Sequence, residues 1–201
     1  MISLVIQAGG QSRRMGEDKG LKLFLGRPLI QWVMDRLTGI ADEVLVTTNN
    51  PEKYTFLGIP LVADLVTGVG PLGGLYTALG SASSPNVAVV ACDMPFASAA
   101  LLKHSVKMVI KEDVDIVIPR TSAGLEPFHA VYRRDICLPV IRSAIERNEL
   151  KVIDWFYKVR VRELTPEEVT AVEPSGLTFW NLNTIEAFNH AEDLCRGLGN
   201  S

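Results

Sequence analysis

Short apolar runs that each end at a glycine, an amide or an acidic residue constrain this chain more than any other feature. Leu4-Val5-Ile6 leads to Gly9-Gly10, Val44-Leu45-Val46 to residues 47–50, residues 59–62 to Ala63-Asp64, and residues 86–91 to Cys92-Asp93. Between them lie stretches of helical periodicity. Leu29, Ile30, Val33, Met34 and Leu37 fall on one face, with Pro28 at the first turn and Gly39 at the end. Pro51 opens a short helix, and residues 68–75 open another. Strands alternating with helices at these lengths predict a mainly parallel central sheet covered on both faces, a three-layer α/β/α Rossmann-like fold. Ligands of such sheets sit beyond the carboxyl ends of the strands, where Gly9, Asn49, Asp64 and Asp93 all fall.

The second half continues the pattern. Residues 98–111 read as a helix, 114–118 as a strand, and 126–132 as a turn followed by a strand. Ile136, Val140, Ile141, Ala144 and Ile145 form a helical stripe that reads as core, as do Trp155 and Phe156 in the short segment 151–157. Ala187, Phe188, Ala191 and Leu194 mark a final helix with Thr184 as its cap. Asn181 and Asn183 share a side if their stretch is extended.

At 201 residues the chain makes one domain with a substantial core. A net charge of -3 offers no global basic footprint for nucleic acid, so a polyanionic ligand would be drawn by local charge. Cys92, Cys137 and Cys195 are far apart and lack metal-ligand spacing, which suits reduced thiols in a cytoplasmic protein. The N-terminal run has no basic flank and is not a signal peptide. No apolar stretch approaches membrane-spanning length, so neither a membrane nor nucleic acid is expected as a partner. The glycine-rich end, residues 197–201, reads as a flexible tail after a domain over 1–196.

Chemistry gathers at residues 7–19. The Gly9-Gly10 pair permits a tight turn and close backbone approach, and Arg13, Arg14 and Lys19 add cations to the same loop. A turn of this kind can aim several N–H groups at an anion, which predicts a triphosphate cradle; the plainer alternative is a turn with solvated basic residues. It is neither a Walker A loop nor a dinucleotide turn. Gly73 and Gly74 within the first turns of a helix need a reason, either close packing or a ligand near the backbone. Asp93 at the end of a buried strand is either a cap or a ligand for Mg²⁺, which favours carboxylate oxygen and substrate phosphate. Cys92 reads as a small buried neighbour rather than a nucleophile, and His129 as structural rather than a general base.

The pattern Ala8-Gly9-Gly10-x-Ser12-x-Arg14-Met15-Gly16-x-Asp18-Lys19 resembles the signature of the molybdenum cofactor guanylyltransferases, within the wider nucleotidyltransferase group. The Cys92-Asp93-Met94-Pro95, Gly70-Pro71-Leu72 and Asn181-Leu182-Asn183-Thr184 segments match further family motifs, so the resemblance covers nearly the whole chain. It implies a nucleotidyltransferase fold whose part up to about residue 97 binds nucleotide and whose remainder binds the acceptor. It implies transfer of GMP from GTP to the phosphate of molybdopterin, with release of pyrophosphate. Lys19 would meet the phosphates with Arg14 beside it. The backbone of Gln7, Ala8, Gly9 and Gly10 would lie near the base, and Asp64 and Gly70 would line the nucleotide side. Asp93 and Asn183 would hold Mg²⁺, making Lys19, Arg14 and Asp93 the catalytic set. A molybdoenzyme or its chaperone would be a further partner. The sequence departs from the family pattern at Gln7, where an apolar residue is usual, and at Asn49, two positions beyond the aligned Thr47. Rival readings are a CTP-dependent or sugar-phosphate nucleotidyltransferase, and a nucleotide-binding chaperone without catalysis.

Overall fold

The computed structural model describes residues 1–8 and 18–198. The chain opens with β1 (Ile2–Gln7), followed after a 3-10 turn at Lys19–Leu21 by the small hairpin β2 (Leu23–Phe24) and β3 (Arg27–Pro28). Leu25 and Gly26 both have positive φ at the hairpin tip, the conformation a two-residue turn demands. Pro28 is extended and caps α1 (Leu29–Leu37), and Gly39 lies in the 3-10 turn that follows. Then come β4 (Glu43–Thr47), β5 (Leu61–Val62), α2 (Gly70–Ser81), β6 (Asn86–Ala91) and α3 (Ala99–Lys111). The second half contributes β7 (Ile116–Thr121), β8 (Gly124–Leu125), β9 (His129–Arg133), α4 (Arg134–Glu146), β10 (Val161–Leu164), α5 (Pro166–Val172) and α6 (Ile185–Leu198).

The strands form an 8-stranded sheet in the order β10-β7-β9-β6-β1-β4-β5, with β8 hydrogen-bonded to β7. β1 runs parallel to β4 and β6, β4 to β5, and β7 to β10. β9 alone in that path is antiparallel, wedged between β6 and β7. The expected mainly parallel sheet therefore holds, with β9 reversed inside it and β8 antiparallel to β7.

Two-residue alternation along the strands sorts side chains between two cores. Leu4, Ile6, Val46, Ala88 and Val90 meet α1 and α3 through Ile30, Val33, Leu101 and Val109. Val5, Leu45, Val87 and Val89 meet α2 and α4 through Leu75, Leu79, Ile141 and Ala144, with Trp155 and Phe156 buried beside them. The α4 stripe is rotated from the sequence reading: Cys137 is buried, whereas Ile136 is 43% exposed, because the sheet beneath selects the face that Ile141 and Ala144 share. A satellite core of Phe24, Leu29, Leu182, Phe188 and Ala191 docks α6 beside the β2–β3 hairpin. The tail expected over 197–201 begins inside α6, and its remainder lies outside the described residues.

Candidate active site

Parallel strands β1, β4, β5 and β6 end at one rim of the sheet, and a cleft of about 800 Å³ opens there. Because β9 is reversed, its beginning meets the end of β6, with His129 opposite Val90, so the turn before β9 joins the same rim. The order of strands sets the order of groups across the cleft. Asn49, Asp64 and the start of α2 stand at the β4–β5 end. Gln7, Lys19 and Asp93 occupy the middle, and Glu126 and Phe128 stand toward β9 and β7.

At the centre, the Lys19 ammonium lies 3.2 Å from Oδ2 of Asp93 and also donates to Oδ1 of Asn183. Asn183 reaches this point from the far end of the chain because buried Leu182 donates its N–H to the Asp93 carbonyl at 3.0 Å. That bond pins the Asn181–Asn183 stretch over the Cys92-Asp93 turn. The stretch is not extended: the Asn183 N–H donates to the Asn181 carbonyl at 3.0 Å, a tight turn. Both asparagines still face the cleft. Thr184 caps α6, accepting from the Ala187 N–H at 3.1 Å.

Lys19 opens a 3-10 turn capped by Asp18, whose carboxylate accepts from the Gly20 N–H at 3.3 Å. The same Asp18 oxygen accepts from the hydroxyl of Tyr54, a fully buried residue from the segment after β4. Burial, then the bond to Asp18, holds the Tyr54 phenol well above its ordinary pKa, so it stays a donor. A Cβ on Gly20 would come within 2.6 Å of the Tyr54 hydroxyl, which only glycine avoids.

On the β4–β5 side, Asn49 donates to Asp64 Oδ2 at 2.6 Å, and the Asp64 N–H donates back to Asn49 Oδ1 at 3.2 Å. Asn49 is thus a site residue that motif alignment to Thr47 overlooks. The loop beyond Asp64 is tied down by buried Thr77, which accepts from the Leu65 N–H at 2.9 Å and donates to the Gly73 carbonyl at 2.8 Å. It reaches α2 through Gly68 and Gly70, both at positive φ, and Gly70 and Pro71 face the cleft. At Gly73 close packing accounts for the glycine: a Cβ would lie 2.6 Å from Val69 Cγ2. At Gly74 it would meet the Gln7 side chain, 3.2 Å from Nε2. Gln7 Nε2 is itself buried with no hydrogen-bond partner among the described residues.

Of the site residues read from sequence, Gln7, Ala8, Lys19, Asp64, Gly70, Asp93 and Asn183 all line this one cleft. Gly9, Gly10 and Arg14 lie outside the described residues. The Ala8 N–H is spent on the Thr47 carbonyl at 2.8 Å and the Gln7 carbonyl on the Cys92 N–H at 3.0 Å, so these two groups serve the sheet. Cys92 is buried and its thiol is pushed well above its ordinary pKa by burial and by Asp93, which leaves it no thiolate character. His129 is fully buried, and its Nε2 accepts from the Ser98 N–H at 3.1 Å at the start of α3, a structural bond.

Asp93 and Asn183 offer one carboxylate and one carboxamide oxygen to a common cation, here the Lys19 ammonium. Such a sparse oxygen set fits Mg²⁺, which keeps waters and phosphate oxygens in most of its positions. Among the described residues no group of three or more His, Cys, Asp and Glu could form an all-protein metal cage.

Residues 4–160 match the family model of the MobA-like NTP transferase domain. A molybdenum cofactor guanylyltransferase of Desulfosudis oleivorans is 34% identical over 192 residues, 95% of this chain and 94% of that protein. The crystal structure of molybdopterin-guanine dinucleotide biosynthesis protein A from Archaeoglobus fulgidus superposes with a TM-score of 0.84 at 25% identity, covering 97% of this chain and 99% of that one. The 4-diphosphocytidyl-2C-methyl-D-erythritol synthase of Anaerococcus prevotii shares the fold alone, with a TM-score of 0.72 at 15% identity, over 97% of this chain and 98% of that one.

Proposed function

This chain belongs to the MobA-like NTP transferase family, and from that premise we propose that it transfers GMP from GTP to the terminal phosphate of molybdopterin, releasing pyrophosphate. The observation that carries the reading is the meeting of Lys19, Asp93 and Asn183 at the centre of the cleft, drawn from three distant parts of the chain. The acceptor phosphate is already an anionic nucleophile, so the transfer needs no strong general base. It needs in-line positioning and relief of phosphate charge. Buried His129 and Cys92, neither of them presented as an ionised group, suit a reaction of that kind.

Lys19 supplies a cation at the phosphates, and Arg14, outside the described residues, would add to that charge. Asp93 and Asn183 would hold Mg²⁺, which would supply positive charge to offset that of the phosphates. Asp64, braced by Asn49, and the α2 start at Gly70 flank the nucleotide, with the chain up to about residue 97 forming that half. The backbone at residues 7–10, of which Gly9 and Gly10 lie outside the described residues, would meet the base. The remainder, with Glu126, Phe128 and Asn181 on the cleft, receives the acceptor. Consumption of GTP and three free thiols suit the cytoplasm, and a molybdoenzyme or its chaperone is the natural recipient of the product. No helix among the described residues is long and apolar enough to cross a membrane.

The test is pyrophosphate release with each of the four NTPs, with and without molybdopterin. Release that requires both GTP and molybdopterin is expected. Release with CTP alone would move the chain to a cytidylyl transfer, and GTP binding without any release would make it a carrier.

A further inference from the structure

The cleft contains carboxylates whose side chains are committed within the protein, and one that keeps an oxygen free. Asp18 accepts from Tyr54 and Gly20, Asp64 is paired with Asn49, and Asp93 contacts Lys19. Glu126 also lines the cleft, but only its Oε1 is engaged, by the Thr121 hydroxyl at 3.1 Å. Its Oε2 has no hydrogen-bond donor and no cation beside it among the described residues. Burial holds the Glu126 carboxyl above the usual carboxylate range.

The turn that carries Glu126 is held on all sides. Its N–H donates to the Pro119 carbonyl at 3.0 Å and its carbonyl accepts from the His129 N–H at 3.1 Å. The Tyr132 hydroxyl donates to the Pro127 carbonyl at 2.7 Å, and the Ala91 N–H donates to the Phe128 carbonyl at 3.0 Å. A partly buried carboxylate with one free oxygen and an aromatic residue two positions on, carried by one fixed turn and lining the same cleft, make a site for a flat heteroaromatic ligand. The ring offers an apolar or stacking surface. The carboxylate is the complement of two parallel N–H donors, the pattern it accepts from any amidine-like edge.

The reading of the chain as a molybdopterin guanylyltransferase, on which this inference rests, supplies two such edges, because guanine and pterin share a 2-amino-4-oxo ring. Strand order separates them. Glu126 and Phe128 stand on the β9–β7 side of Asp93, whereas the Asn49–Asp64 pair and the start of α2 stand on the β4–β5 side. We infer that Glu126 is a specificity-determining residue of the acceptor half: its carboxylate takes the 2-amino and ring N–H donors of the pterin, beside Phe128.

Glu126→Gln tests this, since the amide oxygen can keep the Thr121 bond while the carboxylate's pairing with two donors is lost. The KM for molybdopterin should rise at least tenfold, kcat at saturating acceptor should stay within threefold, and the calorimetric Kd for GTP within twofold. An unchanged KM for molybdopterin would overturn the assignment. An equal weakening of GTP would give Glu126 to guanine instead. A second arm needs no turnover: fluorescence titration with 6-hydroxymethylpterin phosphate and with its 2,4-dioxo counterpart. The wild type should prefer the 2-amino compound at least tenfold, and Glu126→Gln should lose that preference. Equal binding of the two compounds by the wild type sinks the assignment. If the wild type discriminates but transfers no GMP, the transfer reading fails while Glu126 keeps its role.

Discussion

The ammonium of Lys19 lies 3.2 Å from the Asp93 carboxylate, so the cation proposed for the phosphates rests on the carboxylate proposed for the metal. Asn183 completes the arrangement by accepting from the same ammonium. The side chains of the pair are 26% and 14% exposed, a cleft rather than an open surface. On the proposed reading, Lys19 and a divalent cation would compete for the same two oxygens, and a bound nucleotide would relieve the competition by offering Lys19 phosphate oxygens of its own.

Removing the lysine should separate those roles. Lys19→Ala is expected to lose about 2–4 kcal/mol of transition-state stabilisation, a thirtyfold to thousandfold drop in turnover. In the absence of nucleotide it should bind Mn²⁺ more tightly than the wild type, as read by electron paramagnetic resonance. Asp93→Ala should lose both turnover and that binding while retaining its circular dichroism spectrum. Weaker Mn²⁺ binding by Lys19→Ala would show that the two cations do not share these oxygens.

Base choice should rest on the backbone of the turn rather than on the Gln7 side chain, whose Nε2 is buried against Gly74. GTP is expected to bind at least tenfold tighter than CTP, a gap of about 1.4 kcal/mol. Gln7→Ala should preserve that ratio in calorimetry. A ratio near one in the wild type would argue against guanylyl transfer, and a collapse only in Gln7→Ala would assign recognition to the side chain.

His129 links the fold to pH. Burial pushes its pKa down to about 4, with Glu173 opposing in part, and its neutral Nε2 accepts from the Ser98 N–H. The unfolded chain takes up the proton near pH 6.5, well before the folded one does. Stability from this group is therefore complete above pH 6.5 and declines as pH falls toward 4, by about 3 kcal/mol in all. His129→Gln can keep an acceptor for Ser98 but does not titrate. Urea unfolding at pH 7 and pH 4.5 should show a smaller fall for the variant than for the wild type. Equal falls would assign the acid sensitivity to other groups.

Local signals carry much of this fold, and long-range ones almost none. The apolar run at 43–47 and the Ser98 cap of α3 are legible because alternation and capping are properties of neighbouring residues. The capping box of α5, with Thr165 and Glu168 bonded reciprocally and Pro166 between them, is equally local and is readable from Thr-Pro-Glu-Glu alone. β10 is not, since an edge strand bearing Arg162 and Glu163 lacks the apolar alternation that marks a strand. The reversal of β9 between β6 and β7 depends on pairing rather than on pattern. In the cleft, motif residues point to Lys19, Asp93 and Asn183, which the fold brings together, but Tyr54, 36 residues from Asp18, has no local signature at all. Glu126 sits in a turn, and only the three-dimensional cleft gives its carboxylate a context.

The contact between Gly20 and Tyr54 gives the most specific test of how Lys19 is held. The Tyr54 hydroxyl crosses the space a side chain at residue 20 would fill and bonds to Asp18, which in turn caps the turn bearing Lys19. In Gly20→Ala the new Cβ would stand 2.6 Å from that hydroxyl, so either the phenol or the turn has to move. Tyr54→Phe removes the oxygen and with it the bond to Asp18, at a cost to the buried pair of about 1.5–3 kcal/mol. Each single variant should therefore lower turnover by displacing Lys19. In the double variant the nearest ring atom is Cε1 at 3.3 Å, a tight but tolerable contact, with Cys92 Sγ at 3.4 Å. The second substitution should then do less harm than it does alone, with a coupling of about 1–2 kcal/mol in the double-mutant cycle. Turnover is the readout that matters, measured alongside melting temperature, because a purely structural contact would couple in stability and leave kcat additive. Independent, multiplying losses in kcat would mean that Tyr54 packs the core without positioning Lys19.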